Sequence, residues 1–448
     1  MYKSAYLNNL FFEVVTKYTE QKEFLDAVEQ FFDSMDILLE KDPTIEHSGV
    51  LERLLVPERI IMFRVAWLDD HNKIVVNTGY RVQHSSALGP YKGGLRFEPS
   101  VNLSILKGLA FEQTFKNCLT GLPLGGAKGG SDFAPKGKSD HEIMRFCQAF
   151  MAELYRHIGP DTDIPAGDFG VGEQEIGYLF GYYKKLKNEF TGAITGKGVS
   201  YGGSLLRPEA TGYGLIYFVE EMLKTYFKSD IKGKRILISG NGKVGSMAAL
   251  KAKEMGAIIV GMSASKGYVA DPNGLDIDLI LKIAKNKGSL MQDYLKVYPD
   301  VVHGETSSDL WNIPCDIALP CATQEEIKMD AAKNLKTNGC MLVAEGANMP
   351  VTLEAIKYFN DNGVLFAPGK AANAGGVAVS NLEMSQNALH LSWNKEEVDA
   401  KLKSIMQSIF KKCHEASVKY GQPNNLALGA NIAGFLKVYE AMLAQGVV

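Results

Sequence analysis

The apolar run Arg235-Ile-Leu-Ile-Ser239 opens directly into Gly240-x-Gly242-x-x-Gly245 and then into the helix-forming stretch Ser246 to Met255. Strand, glycine turn and helix in that order build a seat for a pyrophosphate. The first glycine permits the tight turn, the second lets backbone approach the phosphates, and the third lets the new helix pack on its strand with its N-terminus toward the anion. A glycine fingerprint alone is weak evidence. Here Ala257-Ile-Ile-Val-Gly-Met262 follows as a second apolar strand and completes a βαβ unit of the required length. The pattern constrains the C-terminal half to an open α/β sheet that binds a dinucleotide, with a glycine-rich turn of some other α/β protein as the lesser reading.

At 448 residues the chain exceeds the size at which one core usually keeps growing, so two domains of roughly 200 residues are expected. With a formal net charge of -3 and 22% charged residues there is no bulk electrostatic attraction for nucleic acid or an anionic membrane. Met1 to Gln30 mixes Phe11, Phe12, Val14 and Val15 with Glu13, Lys17, Glu20 and Lys22, the pattern of an amphipathic surface helix and not of a targeting segment. No membrane span is expected, and the cytoplasm is the default location. The six cysteines form no CxxC pair and sit in apolar surroundings, which fits reduced, buried thiols. The eight histidines form no HxH or HExxH spacing, so no metal site is expected.

Along the chain, helical patterns near 5–18 and 21–40 precede a β-hairpin formed by Arg59–Leu68, the turn Asp69–Asn72, and Lys73–Val82. A helix follows from Ser100, then a glycine-rich strand or turn at 124–133. Ser139-x-x-Glu142 reads as a capping box before a helix with Ile143, Phe146, Phe150 and Leu154 on one face, ended by the loop Asp163–Gly170. Gly192 to Arg207 is dense in Gly and Ser, and Pro208 suits the first turn of the next helix, which places a domain hinge there. Beyond it, apolar runs at 235–239, 257–262, 315–319, 341–344 and 364–367 alternate with helices, the signature of a doubly wound parallel sheet. A long helical pattern runs from Gly375 to about Leu391. The fold class expected is two-domain α/β: an N-terminal α/β domain over residues 1–200, completed by C-terminal helices at about 380–448, and a Rossmann-like nucleotide domain over 201–379.

The first half places lysines in glycine-rich settings: Lys92 in Tyr91-Lys-Gly-Gly-Leu-Arg96, Lys116 after Gln113, and Lys128 in Leu124-Gly-Gly-Ala-Lys-Gly-Gly130. Glycine removes bulk so that a small substrate can approach an ammonium, and burial in such a crevice lowers the amine's pKa toward a catalytic range. Gln113 and Lys116 share a helix face and can grip one carboxylate, although the same spacing suits an ordinary solvated face. Neither GGAKGG nor GNGKVG is a P-loop, because no Ser or Thr follows the lysine. Asp168, between Gly167 and Phe169, is either a site carboxylate or a turn aspartate. The second apolar strand of the nucleotide unit ends in Ser263-Ala-Ser-Lys266, with no carboxylate to meet a ribose hydroxyl. Ser263, Ser265 and Lys266 instead suit a 2'-phosphate, with Lys282, Lys285 and Lys287 on the following helix either further cations or an ordinary solvated face, so NADP is favoured and NAD is the alternative.

Pro90–Phe97, Leu122–Gly130, Asp163–Asp168, Arg207–Gly214 and Ala371–Ser380, in this order, resemble the hexameric glutamate dehydrogenases of bacteria and lower eukaryotes over nearly the whole chain. One departure is Gly245, where that family often has alanine. The resemblance implies reversible oxidative deamination of glutamate to 2-oxoglutarate and ammonia by a homohexamer. It assigns Lys128 to activating water and stabilising a carbinolamine, and Asp168 to proton transfer at the substrate nitrogen. It assigns Gln113, Lys116 and Gly167 to substrate binding, Lys92 and Ser380 to the γ-carboxylate, and Thr211, Gly240, Asn241, Gly242, Gly245, Ser263, Ser265, Asn348 and Asn373 to the cofactor. A sister leucine or phenylalanine dehydrogenase would carry apolar residues in place of Lys92 and Ser380. A silent dinucleotide-binding regulator would lack the site side chains that this chain retains.

Overall fold

The computed structural model describes residues 2–286 and 288–448, and these divide into two compact units. The first comprises the chain up to Arg207 with Val379–Val398 and Asn431–Val448; the second comprises Pro208–Ala378 and Asp399–Ala430.

In the first unit, α1 (Ala5–Lys17) starts at Ser4, whose hydroxyl accepts from the Leu7 amide. Helix α2 (Lys22–Lys41) buries Phe24, Val28, Phe31, Phe32, Met35 and Leu38, a helical stripe, and a short α3 (Val50–Leu54) follows. Strands β1 (Arg59–Leu68) and β2 (Ile74–Ser85) form the expected hairpin. Its turn is held by Asp69, which accepts from the His71 and Lys73 amides, and by Asn72 at φ +59°. Strand β3 (Tyr91–Phe97), helix α4 (Leu103–Leu119), strand β4 (Gly126–Ser131), helix α5 (Asp140–Leu154), strand β5 (Asp163–Gly167) and helix α6 (Glu173–Lys187) complete the unit's first stretch. The sheet order is β1-β2-β4-β3-β5. The Ser139/Glu142 capping box is present at α5. Asp163–Gly167, expected as loop, is a strand parallel to β3. Pro165 removes a ladder donor but sits on an edge strand, where its loss is tolerated.

Strand alternation sorts side chains onto two faces. Val65, Trp67, Leu95 and Phe97 point into a core shared with Phe146, Phe150 and Leu154 of α5 and Ile176 and Leu179 of α6. Val82 points the other way, onto Leu106 and Ala110 of α4. Lys128 pairs with Val82, and Lys92 and Arg96 alternate with Leu95 and Phe97, so these cations belong to the α4 face.

The second unit starts with α7 (Ala210–Phe227) and contains β6 (Arg235–Ile238), α8 (Lys243–Glu254), β7 (Ile258–Ala264), β8 (Gly267–Ala270), α9 (Ile277–Lys285), α10 (Leu290–Leu295), β9 (Val302–Gly304), β10 (Ile317–Leu319), α11 (Met329–Thr337), β11 (Leu342–Ala344), α12 (Leu353–Asp361), β12 (Leu365–Ala367) and α13 (Gly369–Ala372). Its sheet order is β12-β11-β10-β6-β7-β8-β9. The first five run parallel, the doubly wound arrangement expected. Strands β8 and β9 add an antiparallel margin that the apolar runs did not announce. Helices α14 (Gly375–Leu389), α15 (Lys395–Lys419) and α16 (Leu426–Gln445) end the chain.

All six cysteines are buried thiols outside any disulfide. Contrary to expectation, one helix among the described residues, α16, is long and apolar enough to cross a membrane. Its apolar length is explained by packing: Phe435 meets Phe31 with ring centroids 6.0 Å apart, the Gly434 carbonyl accepts from Cys118 Sγ, and Asn431 Nδ2 donates to Ser34 Oγ at 2.9 Å.

Candidate active site

In the first unit, Lys128 Nζ on β4 lies 3.0 Å from Asp168 Oδ2, just beyond β5. Arg96 Nε of β3 donates to the same oxygen at 3.0 Å, a partner not singled out from the sequence. Burial lowers the Lys128 pKa, an effect that Asp168 opposes and Arg96 reinforces. Burial alone would raise the Asp168 carboxyl, but Lys128 and Arg96 overcome it and hold it down at about 2. At neutral pH Asp168 is therefore an ionised carboxylate beside an amine that burial makes easier to deprotonate. Its place depends on glycine: a Cβ at Gly94 would lie 2.8 Å from Asp168 Cβ, and one at Gly167 would lie 2.5 Å from the Val171 carbonyl oxygen.

Helix α4 brings Gln113 and Lys116 to this face. Lys116 is lowered to about 8 by burial first and by the neighbouring Lys128 second. Gln113 Nε2 donates to Asn117 Oδ1 at 2.7 Å, and Asn117 Nδ2 donates to the Lys92 carbonyl, tying α4 to β3. Glycines elsewhere in these motifs serve backbone approach more than substrate room. A Cβ at Gly93 would stand 1.6 Å from the Ala127 carbonyl oxygen, and one at Gly126 would stand 2.0 Å from Thr114 Oγ1. Beneath the site, on the opposite face of the sheet, buried Arg81 pairs with Asp163, donating from Nε at 2.9 Å, and also donates to the Gly93 carbonyl.

Lys92 is fully buried, donating to Thr195 Oγ1 at 2.7 Å and to the Ile164 carbonyl at 3.1 Å. Burial, then Arg81 and Arg207, push its pKa well down, while Glu383 and Asp163 oppose the fall. Ser380 of α14 accepts from Arg207 Nε at 3.0 Å. Thr195 and Arg207 were not singled out from the sequence, because their motifs gave no reason to prefer them over other loop residues.

In the second unit, Gly240 adopts φ +79° at the end of β6, and Gly242 is the N-cap of α8 with no side-chain cap. A Cβ at Gly242 would meet nothing within 4 Å, which leaves the helix N-terminus open to an anion. At Gly245 a Cβ would lie 1.9 Å from the Gly240 carbonyl oxygen, so the loop would have to shift to take the alanine that the resembled family often has there. The Asn241 carbonyl accepts from Ser246 Oγ, closing the loop. These features fit a pyrophosphate. Asn373 Nδ2 donates to Asn348 Oδ1 at 3.1 Å and to the Ala347 carbonyl at 3.0 Å, bringing those two candidates together. Thr211 lies in the first turn of α7, packed on α8 where a Cβ at Gly212 would meet the Ala248 amide nitrogen at 2.5 Å. Ser263 is buried in β7, while Ser265 and Lys266 form the exposed two-residue turn into β8. Lys282 and Lys285 are exposed on α9; Lys287 lies outside the described residues.

Residues 202–446 match the family described as Glutamate/Leucine/Phenylalanine/Valine dehydrogenase, and residues 57–185 match the Glu/Leu/Phe/Val dehydrogenase dimerisation domain. The NADP-specific glutamate dehydrogenase of Salmonella typhi is 55% identical over 435 residues, covering 96% of this chain and 96% of that protein. The NAD-specific glutamate dehydrogenase of Bacteroides fragilis is 54% identical over 441 residues, covering 96% and 97%. The crystal structure of Plasmodium falciparum glutamate dehydrogenase aligns with a TM-score of 0.96 at 50% identity, over 99% of this chain and 95% of that one. With matched domains spanning most of its length and relatives above half identity, the chain belongs to the Glutamate/Leucine/Phenylalanine/Valine dehydrogenase family.

Proposed function

We propose that this protein interconverts L-glutamate with 2-oxoglutarate and ammonia. The observation that carries the reading is the Lys128–Asp168 pair, 3.0 Å apart on a face that also holds Lys116. Lys116 and Gln113 hold the α-carboxylate, Lys128 activates water at the α-carbon and stabilises the carbinolamine, and Asp168 takes and returns protons at the substrate nitrogen. The dinucleotide is held by the Gly240–Gly245 loop, Thr211, Asn348 and Asn373, and its nicotinamide supplies the hydride acceptor and donor. The buried amine of Lys92 favours a dicarboxylate over a branched-chain substrate: a distal carboxylate supplies the counter-charge that holds it as an ammonium, and an apolar side chain supplies none. The test is ammonium-dependent oxidation of a reduced nicotinamide with 2-oxoglutarate, compared with a branched-chain oxo acid. A preference for the branched-chain acid would overturn the assignment.

NADP is the favoured cofactor, supported by Ser263, Ser265 and Lys266 and by the lack of a carboxylate at the end of β7. Relatives of near-equal identity are named for one or the other cofactor, so overall similarity does not decide the preference. Initial rates with NADPH and NADH at equal concentration decide it, a strong NADH preference refuting the reading. The protein is further proposed to act as a homohexamer in the cytoplasm, in keeping with its dimerisation-domain match and with six buried cysteines, none of them in a disulfide.

A further inference from the structure

Helix α14 carries Ser380 and, one turn on, Glu383, which has no part in the chemistry above. The Glu383 side chain is fully buried with that of Lys197, Oε1 lying 2.8 Å from Lys197 Nζ. Its two oxygens also accept from backbone, Oε2 from the Gly196 amide at 2.9 Å and Oε1 from the Lys197 amide at 3.3 Å. Lys197 Nζ donates further to the Ile194 carbonyl and to Asn387 Oδ1 at 2.8 Å. Gly196 sits at φ +88°, so the turn has a shape that ordinary residues resist. The residue before it is Thr195, whose hydroxyl accepts from Lys92 and whose amide donates to the Pro165 carbonyl of β5.

We propose that Glu383, together with Lys197, is a positioning residue that clamps the Thr195 turn to α14 and so fixes the spacing between the Lys92 ammonium and the Ser380 hydroxyl. Holding that pair at a fixed distance from the Lys116 and Lys128 amines sets the length of dicarboxylate the site accepts. The inference rests on the reading of Lys92 and Ser380 as the distal-carboxylate site. A buried ion pair is a costly way to stabilise a fold, and apolar replacement is often neutral, so the pair's contribution lies in orientation more than in stability. Glu383 also acts on Lys92 through charge: with Asp163 it opposes the lowering by burial, Arg81 and Arg207. The Lys92 ammonium, needed to hold a carboxylate, thus persists to higher pH than it would otherwise.

The test uses the full-length Lys197→Met/Glu383→Gln double variant, which removes both charges without stranding either, and Glu383→Gln alone. In the double variant the kcat/KM preference for 2-oxoglutarate over the four-carbon oxaloacetate and the six-carbon 2-oxoadipate is expected to fall by about tenfold or more, through KM, with kcat changed by less than about threefold. In Glu383→Gln the rise of KM for 2-oxoglutarate with pH is expected to begin at lower pH than in the parent. A role confined to stability would lower Tm and leave the chain-length ratio in place, and that result overturns the proposal. Hydrogen exchange at the Gly196 and Lys197 amides gives a readout independent of turnover. One carboxamide oxygen replaces two carboxylate oxygens, so at least one amide should lose protection, and unchanged protection of both refutes the clamp. Absence of turnover with 2-oxoglutarate in the parent would instead overturn the functional reading and leave exchange to judge the clamp.

Discussion

Two opposed influences act on each titrating group of the α4 face, and their balance decides its protonation state. Lys116, at about 8, is charged at neutral pH and loses its proton as pH rises past that value. Because only the ammonium can hold an α-carboxylate, 2-oxoglutarate binding should weaken as pH climbs through about 8, as read by titration calorimetry. Lys116→Ala should bind weakly at every pH, and a flat profile in the parent would refute the role. Lys92 and Lys128 were legible because glycine next to lysine is an unusual context that points to close approach, and Lys116 because it shares a helix face with Gln113. Arg96, Thr195, Arg207 and Glu383 were not. Their partners lie 72, 103, 173 and 186 residues away in sequence, so nothing local distinguishes them from ordinary surface or loop residues.

At the scale of elements, the glycine loop was legible because its chemistry is local: each glycine acts within a single turn. Gly245→Ala should force the Gly240 carbonyl aside at a cost of about 1–3 kcal/mol, with dinucleotide affinity lowered accordingly. Fluorescence titration with the reduced cofactor would show it, and unchanged affinity would mean that the loop relaxes freely. Strands β8 and β9 escaped notice because four and three residues are too short to display a period, and β5 because Pro165 and its glycine neighbourhood read as loop. The Arg81–Asp163 pair that binds β2 to β5 was equally invisible. Removing one partner by Arg81→Met leaves a buried carboxylate with Gln83 Nε2 as its remaining side-chain donor, and about 3–5 kcal/mol of stability should be lost in thermal unfolding.

At the scale of the whole molecule, chain length and the change from lysine-rich glycine motifs to a βαβ pattern at about residue 208 announced two units. Tertiary packing alone decided that Asp399–Ala430 joins the second. The β1–β2 hairpin exposes Met62, Ile74 and Val76 on one sheet face, apolar side chains inside the dimerisation-domain match and suited to a second copy of the chain. Ile74→Lys/Val76→Lys should therefore lower the oligomeric mass in light scattering; an unchanged mass would place self-association elsewhere. The most direct test of the account as a whole is ammonium-dependent oxidation of NADPH with 2-oxoglutarate by the parent and by Lys128→Ala, with cofactor binding measured on both. The account predicts turnover reduced by about 10²–10⁴ in the variant with cofactor affinity retained. Equal rates in the two proteins would contradict it.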